Sequence, residues 1–139
     1  LKYNFEDYFK ICFVRNPWAR VFSLYKMIRP NSKFIDFINN LENIANKSKK
    51  PWEKYGAYNL KRYICDSDEN ILVDHVFKLE DIDTKFKDKM AELGIEIKNI
   101  KHLNKVNSKE EYRKHYNNYT KNKVAKIYKY EIEKFNYIF

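Results

Sequence analysis

The chain has 139 residues, of which 44% are hydrophobic, 17% aromatic and 34% charged, with a formal net charge of +9. That length and apolar content fit one domain able to bury roughly two thirds of its unfolded surface, and exclude a disordered chain. No run reaches the ~20 apolar residues of a membrane-spanning helix, Cys12 and Cys65 are too few for a disulfide framework, and no metal-ligand spacing occurs.

The positive charge is mostly lysine, with arginine only at Arg15, Arg20, Arg29, Arg62 and Arg113. It draws anionic partners of any class without choosing among nucleotide, nucleic acid, acidic glycan and membrane surface. Two glycines and three prolines leave little room for a linker, so residues 1–139 are expected to form a single domain. The opening residue is Leu1, not Met, and the expectation is a fragment or processed product.

The most informative stretch runs from Phe9 to Tyr25. Phe9, Ile11, Cys12, Phe13 and Val14 are apolar around Lys10, the pattern of a strand covered on both faces. Asn16 suits a helix N-cap, and Pro17 suits the first helical position, where its missing N–H is not needed. Trp18, Val21, Phe22, Tyr25 and Ile28 then form one apolar stripe. Arg15 therefore stands between a strand end and a helix start, where free N–H groups and the helix dipole favour an anion.

The residues Val-Arg-Asn-Pro-x-x-Arg-x-x-Ser-x-Tyr, from Val14 to Tyr25, resemble the motif with which carbohydrate sulfotransferases hold the 3'-phosphate of PAPS (3'-phosphoadenosine 5'-phosphosulfate). The resemblance implies that Arg15 and Ser23 bind the 3'-phosphate, and that Asn16 replaces the family's usual Asp while keeping its capping role. The alternative is that Arg15 pairs with a carboxylate and Ser23 fills a small space. The implied fold is α/β, part of a P-loop-like sulfotransferase fold with a short, mainly parallel sheet flanked by helices and lacking its first βα unit.

Further along, Ser32 is placed to cap a helix carrying Phe34, Phe37, Ile38, Leu41, Ile44 and Ala45, ending near Asn46. Lys47-Ser48-Lys49-Lys50-Pro51 is a basic loop. Residues 52–63 are aromatic without a clear period, which leaves two readings. They form a short helix packed in the core, or a loop presenting Trp52, Tyr55, Tyr58 and Arg62 to a sugar, whose apolar faces stack on flat rings and whose acidic groups pair with arginine. Tyr63-Ile64-Cys65 and Ile71 to Phe77 read as two strands about the polar turn at 66–70. Asp81 or Asp83 then begins a helix with Ile82, Phe86, Met90 and Leu93 inward and Gly94 as its C-terminal cap, followed by a short strand at 95–100. A lone strand histidine such as His75 is more often a packed residue than a base.

This middle portion resembles the same family in order: an aromatic segment, an acidic turn, a hydrophobic strand, an acidic position matched by Glu80, and a helix ending in Leu93-Gly94-Ile95. Asn59 stands near a position where many members carry Gln. Ser108 with Glu111 forms a capping box and a second helix N-terminus. Where the family usually has a His, this chain has Lys105, with His102 out of register. Lys105, Asn107 and Ser108 are candidate donor-binding residues, with simple capping as the alternative. Thr120 is expected to cap a last helix with Val124, Ile127, Tyr128, Ile132 and Phe135 buried. Its Tyr128-x-x-Glu131-x-x-x-Phe135 ending resembles the family's C-terminal helix.

Sulfuryl transfer needs donor and acceptor held in line and the bridging charge stabilised. The family's 5'-phosphosulfate loop, a Pro-Lys run with Gly or Thr, has no counterpart before Phe9. The expectation is a C-terminal portion of a sulfotransferase-like domain whose parent, with a further βα unit of ~30 residues, carries the missing loop and the base, so that the chain alone is inactive. PAPS is the expected donor and PAP (adenosine 3',5'-bisphosphate) the product. The acceptor is a carbohydrate hydroxyl, on a neutral or acidic glycan. No catalytic base is assigned. The competing classes are a non-catalytic nucleotide- or acidic-glycan-binding module and, ranked last, a basic nucleic-acid-binding domain.

Overall fold

A computed structural model of the chain describes residues 4–28, 30–100 and 111–139. In chain order the elements are β1 (Ile11–Val14), α1 (Pro17–Ile28), α2 (Phe34–Asn39), α3 (Leu41–Lys47), α4 (Pro51–Ala57), α5 (Lys61–Ile64), β2 (His75–Lys78), α6 (Lys87–Glu92), α7 (Asn118–Ile127) and α8 (Lys129–Lys134), with 3₁₀ turns at Phe5–Asp7, Leu79–Asp81 and Glu111–His115. The expected α/β class is what the chain adopts: helices dominate, and the sheet is one short parallel pair. The contacts divide the chain into two compact units, residues 1–15 with 64–104 and residues 16–63 with 105–139.

In the first unit β1 runs parallel to β2, pairing Ile11 with His75, Cys12 with Val76, Phe13 with Phe77 and Val14 with Lys78. Asp74 fixes this register, accepting from the Lys10 N–H (2.6 Å) and standing 3.7 Å from Lys10 Nζ. The rings of Phe13, Phe77 and Phe86 meet at 4.9–5.8 Å. Three expectations need correction here. The strand is not covered on both faces: Ile11 and Phe13, which project from the same face, remain 36% and 37% exposed. The hairpin about 66–70 shrinks to a single antiparallel bridge between Cys65 and Ile71. Ile64 ends a helical turn instead, and the Asp66 carboxylate closes the loop by accepting from the N–H groups of Asp68 (2.9 Å) and Asn70 (2.8 Å). Such side-chain bonds compete with a strand ladder. Finally, residues 95–100 form no strand.

The helix expected from Asp81 begins as the 3₁₀ turn, passes through a π turn at Ile82–Phe86 and becomes α6. It buries Met90 but leaves Leu93 43% exposed. Gly94 ends it as read, at φ +76°, with its N–H bonded to the Ala91 carbonyl (2.9 Å).

The second unit is built on α1, which packs against α2, α4 and α7. Trp18, Val21, Phe22, Leu24, Phe37, Ile38, Leu41, Val124 and Tyr128 are each 4% exposed or less. Polar groups lock this apolar stripe. Trp18 Nε1 donates to the Lys121 carbonyl (3.0 Å), and Tyr116 donates to the Trp18 carbonyl (2.8 Å).

The single helix expected after Ser32 is two, divided at Asn40 (φ −95°, ψ 1°). Ser32 is not its cap: Lys33 holds that place, and the Ser32 carbonyl accepts from the Tyr25 hydroxyl (3.0 Å). Asn39 and Asn40 explain the break, because short amide side chains bond locally and weaken helix continuity. The last helix also divides, at Tyr128, and its cap is Asn117. Asn117 Oδ1 accepts from the Thr120 N–H while Thr120 Oγ1 accepts from the Asn117 N–H, both at 2.9 Å. Thr120 is thus the far side of the capping box.

Removing that cap should be measurable. Asn117→Ala is expected to lower unfolding free energy in urea by ~1 kcal/mol, whereas Asn118→Ala, one residue inside the helix, should change it by only a few tenths.

Candidate functional site

Asn16 organises the start of α1 as its sequence suggests. Its Oδ1 accepts from the N–H groups of Trp18 (3.1 Å) and Ala19 (3.3 Å), its carbonyl accepts from the Arg20 N–H (2.9 Å), and its Nδ2 donates to the Ile138 carbonyl (2.8 Å). One part of the sequence reading changes as a result. With Pro17 lacking an N–H and the next three already bonded, this terminus offers an anion its dipole but few open amides.

Arg15 is half-buried directly after β1, in the first unit, and Ser23 is half-buried in α1, in the second. Among the described residues the Ser23 hydroxyl has no hydrogen-bond partner. Lys105, Asn107 and Ser108 lie outside the described residues, as does His102. Glu80 is exposed in the 3₁₀ turn after β2. His75 is packed against Phe77, ring centres 4.1 Å apart.

The residues between the basic loop and Ile64 are mostly helical, so both readings of this stretch contain part of the answer. Ala57 and Leu60 face the core, while Trp52, Tyr55 and Tyr63 are 44%, 53% and 43% exposed. Tyr58 is half-buried. The rings of Tyr55, Tyr58 and Tyr63 meet mutually at 5.4–6.2 Å, and the Arg62 guanidinium lies 4.3 Å from the centre of the Tyr58 ring. Arg62 also donates to Asn46 Oδ1 (3.1 Å), and Tyr63 donates to the Tyr55 carbonyl. Lys54 Nζ stands 6.0 Å from the Tyr58 ring. Structure thus gathers Tyr55, Tyr58 and Arg62 with Tyr63, which the sequence places in a strand and which instead lies in α5. Trp52 is exposed on α4 with Lys50 Nζ 5.6 Å from its ring.

Behind this face lies a buried charge pair that sequence reasoning missed. Glu131 is 1% exposed, and its Oε1 accepts from Arg20 Nη2 (3.0 Å) and from the Leu60 N–H. Its Oε2 is 2.9 Å from the same Arg20 nitrogen but lacks a well-directed hydrogen bond, as does Arg20 Nε. Arg20 Nη2 also reaches the Tyr58 carbonyl (3.3 Å), and the guanidinium sits 4.8 Å from the Tyr128 ring centre. Burial raises the pKa of Glu131 and outweighs the opposing pull of Arg20. A signal was present: Glu131 is a carboxylate on the apolar spacing of Tyr128, Ile132 and Phe135, where an unpaired charge would be prohibitive.

The family follows from the whole chain. A family model described as "Sulfotransferase family" matches residues 1–138. The chain belongs to the sulfotransferase family. No curated protein and no solved structure matches it. Membership supports sulfotransfer in general, with a nucleotide donor and an acceptor substrate. Among the described residues no group of His, Cys, Asp or Glu is arranged to hold a metal ion, and no helix is long and apolar enough to cross a membrane.

The tyrosines give a pH test. Partial burial pushes Tyr63, which keeps 43% of its surface exposed, up to about 12, and deeper burial also raises Tyr116 and Tyr128. A folded-state pKa above the unfolded value of 10.0 means that these phenols support the fold fully below pH 10 and withdraw that support as pH rises further. Phenolate absorbance from these three tyrosines should therefore rise steeply above pH 10, coincident with loss of helical circular dichroism. A single smooth titration with the helix signal intact would contradict it.

Proposed function

We propose that this domain transfers a sulfuryl group from PAPS to a carbohydrate hydroxyl. The acceptor oxygen forms a bond to sulfur, the bond from sulfur to the 5'-phosphate oxygen breaks, and PAP leaves with the electron pair. The hydroxyl proton passes to a base that we assign to no residue of this chain. Family membership supports the reaction type. The observation that carries the carbohydrate reading is the cluster of exposed Tyr55 and Tyr63 with half-buried Tyr58, over whose ring the Arg62 guanidinium lies. Flat rings suit the apolar faces of sugars, and a guanidinium held over a ring keeps donors for a carboxylate or sulfate. The charge of +9 favours an acidic glycan.

For the donor, the reading rests on the sequence from Val14 to Tyr25. Arg15 and Ser23 bind the 3'-phosphate, the arginine by charge-assisted hydrogen bonds and the serine by its hydroxyl. Lys105, Asn107 and Ser108 contribute further contacts to the donor.

Calorimetric titration with PAP and with adenosine 5'-monophosphate tests the donor. PAP should bind more tightly, and Arg15→Ala should weaken PAP by about 10- to 100-fold while leaving the monophosphate nearly unchanged. Equal affinity for the two nucleotides in the wild type would overturn the 3'-phosphate assignment. A melting curve on Arg15→Ala separates lost binding from lost folding.

A further inference from the structure

We infer that Arg20, Asn59, Tyr128 and Glu131 are positioning residues that hold the sugar-binding face in shape, an inference that rests on the carbohydrate reading above. The face is carried by α4 and α5, two short helices joined by Tyr58, Asn59 and Leu60. A three-residue link between such short helices has little rigidity of its own, because each helix is too short to be stable alone. Yet polar groups along and beside the link are bonded to side chains and a carbonyl from elsewhere in the same unit, with local bonds closing the rest. The Ala57 carbonyl accepts from the buried Tyr128 hydroxyl (2.8 Å), and the Tyr58 carbonyl accepts from Arg20 (3.3 Å). Asn59 Nδ2 donates to the Ile127 carbonyl (3.1 Å), its Oδ1 accepts from the Lys61 N–H (3.0 Å), and the Leu60 N–H donates to Glu131.

Four consecutive residues are therefore clamped from α1, α7 and the start of α8. Tyr55 lies just before the clamp, Tyr58 within it, and Arg62 and Tyr63 just after. The side chains that would meet a sugar are set by backbone that the clamp fixes, so loosening it should cost acceptor affinity through lost preorganisation, with no contact to the sugar removed. Asn59 also has an explanation on this account: its amide is spent on the clamp and not on an acceptor.

The test uses Asn59→Ala and Tyr128→Phe in the full chain. Asn59→Ala removes the long-range bond to Ile127 together with the local bond from Lys61, Tyr128→Phe removes the bond to Ala57, and both leave Tyr55, Tyr58, Arg62 and Tyr63 in place. Tyr119→Phe is the control, since it loses a tyrosine hydroxyl bond to Asn39 (2.7 Å) away from the link. Amide exchange across residues 57–63 should accelerate by about fivefold in each clamp variant, and the Kd for a hyaluronan oligosaccharide should rise by a similar factor, as for one lost hydrogen bond. The Kd for PAP should stay within about twofold, and the control should change neither quantity.

Unchanged exchange, or hyaluronan and PAP affinities falling together, would overturn the inference. So would faster exchange with unchanged hyaluronan affinity. A wild type that binds PAP but no hyaluronan or neutral maltooligosaccharide would overturn the carbohydrate reading, leaving a clamp that is structural only. Maltooligosaccharide binding equal to hyaluronan binding would keep the carbohydrate and reject its acidity.

Discussion

A carboxylate that is 1% exposed and lies among apolar side chains can persist only if its surroundings replace the water it has lost. In this chain the replacement for Glu131 is Arg20 from α1 and the backbone N–H of Leu60. The pair is not a source of stability in the way that Ile38 or Val124 is, since desolvation of two charges offsets most of their attraction. Its consequence is geometric. Any arrangement of α1, α8 and the link at 58–60 that separates these three partners leaves a buried charge uncompensated, so the alternatives are penalised and one arrangement remains. The Tyr128 ring beside Arg20 and the Tyr128 hydroxyl on Ala57 extend the same constraint toward α4.

This constraint bears directly on function. In a sulfotransferase-family domain the protein mainly positions two substrates, and here the exposed tyrosines and Arg62 are mounted on short helices that hold no position unaided. Fixing their backbone through groups buried behind them lets the front remain open. The second arginine of the Val14 to Tyr25 motif thus has a structural duty, distinct from the ligand role proposed for Arg15. Asn16 shows a comparable division of labour, closing the α1 amides while its own amide reaches the Ile138 carbonyl.

Much of this was legible in the residues wherever local chemistry and tertiary packing agree. Pro17 after Asn16 predicts the start of α1, the 18, 21 and 22 spacing predicts its buried face, and Gly94 predicts a left-handed stop. Legibility failed where a local bond competes with a periodic pattern. Asp66 closes a loop where alternation suggested a hairpin, Asn40 divides a helix whose apolar stripe continues across the break, and Asn117 takes the cap that Thr120 shares. Of the proposed acceptor residues, Tyr55, Tyr58 and Arg62 were readable as a cluster because they are close in sequence. Arg20 and Glu131 are 111 residues apart, and only the fold brings them together. What the sequence did contain was a carboxylate on an apolar stripe, a position that demands a cation without saying which one.

The most direct test of the central claim is a double-mutant cycle on this pair. Glu131→Leu alone and Arg20→Met alone should each cost about 3–5 kcal/mol of unfolding free energy, because each leaves a charge buried without its partner. The double variant should cost far less than their sum, retaining mainly the ~1–3 kcal/mol of a Leu60 N–H without an acceptor. Costs that add to within about 0.5 kcal/mol would show the two residues to be independent, and would contradict the account.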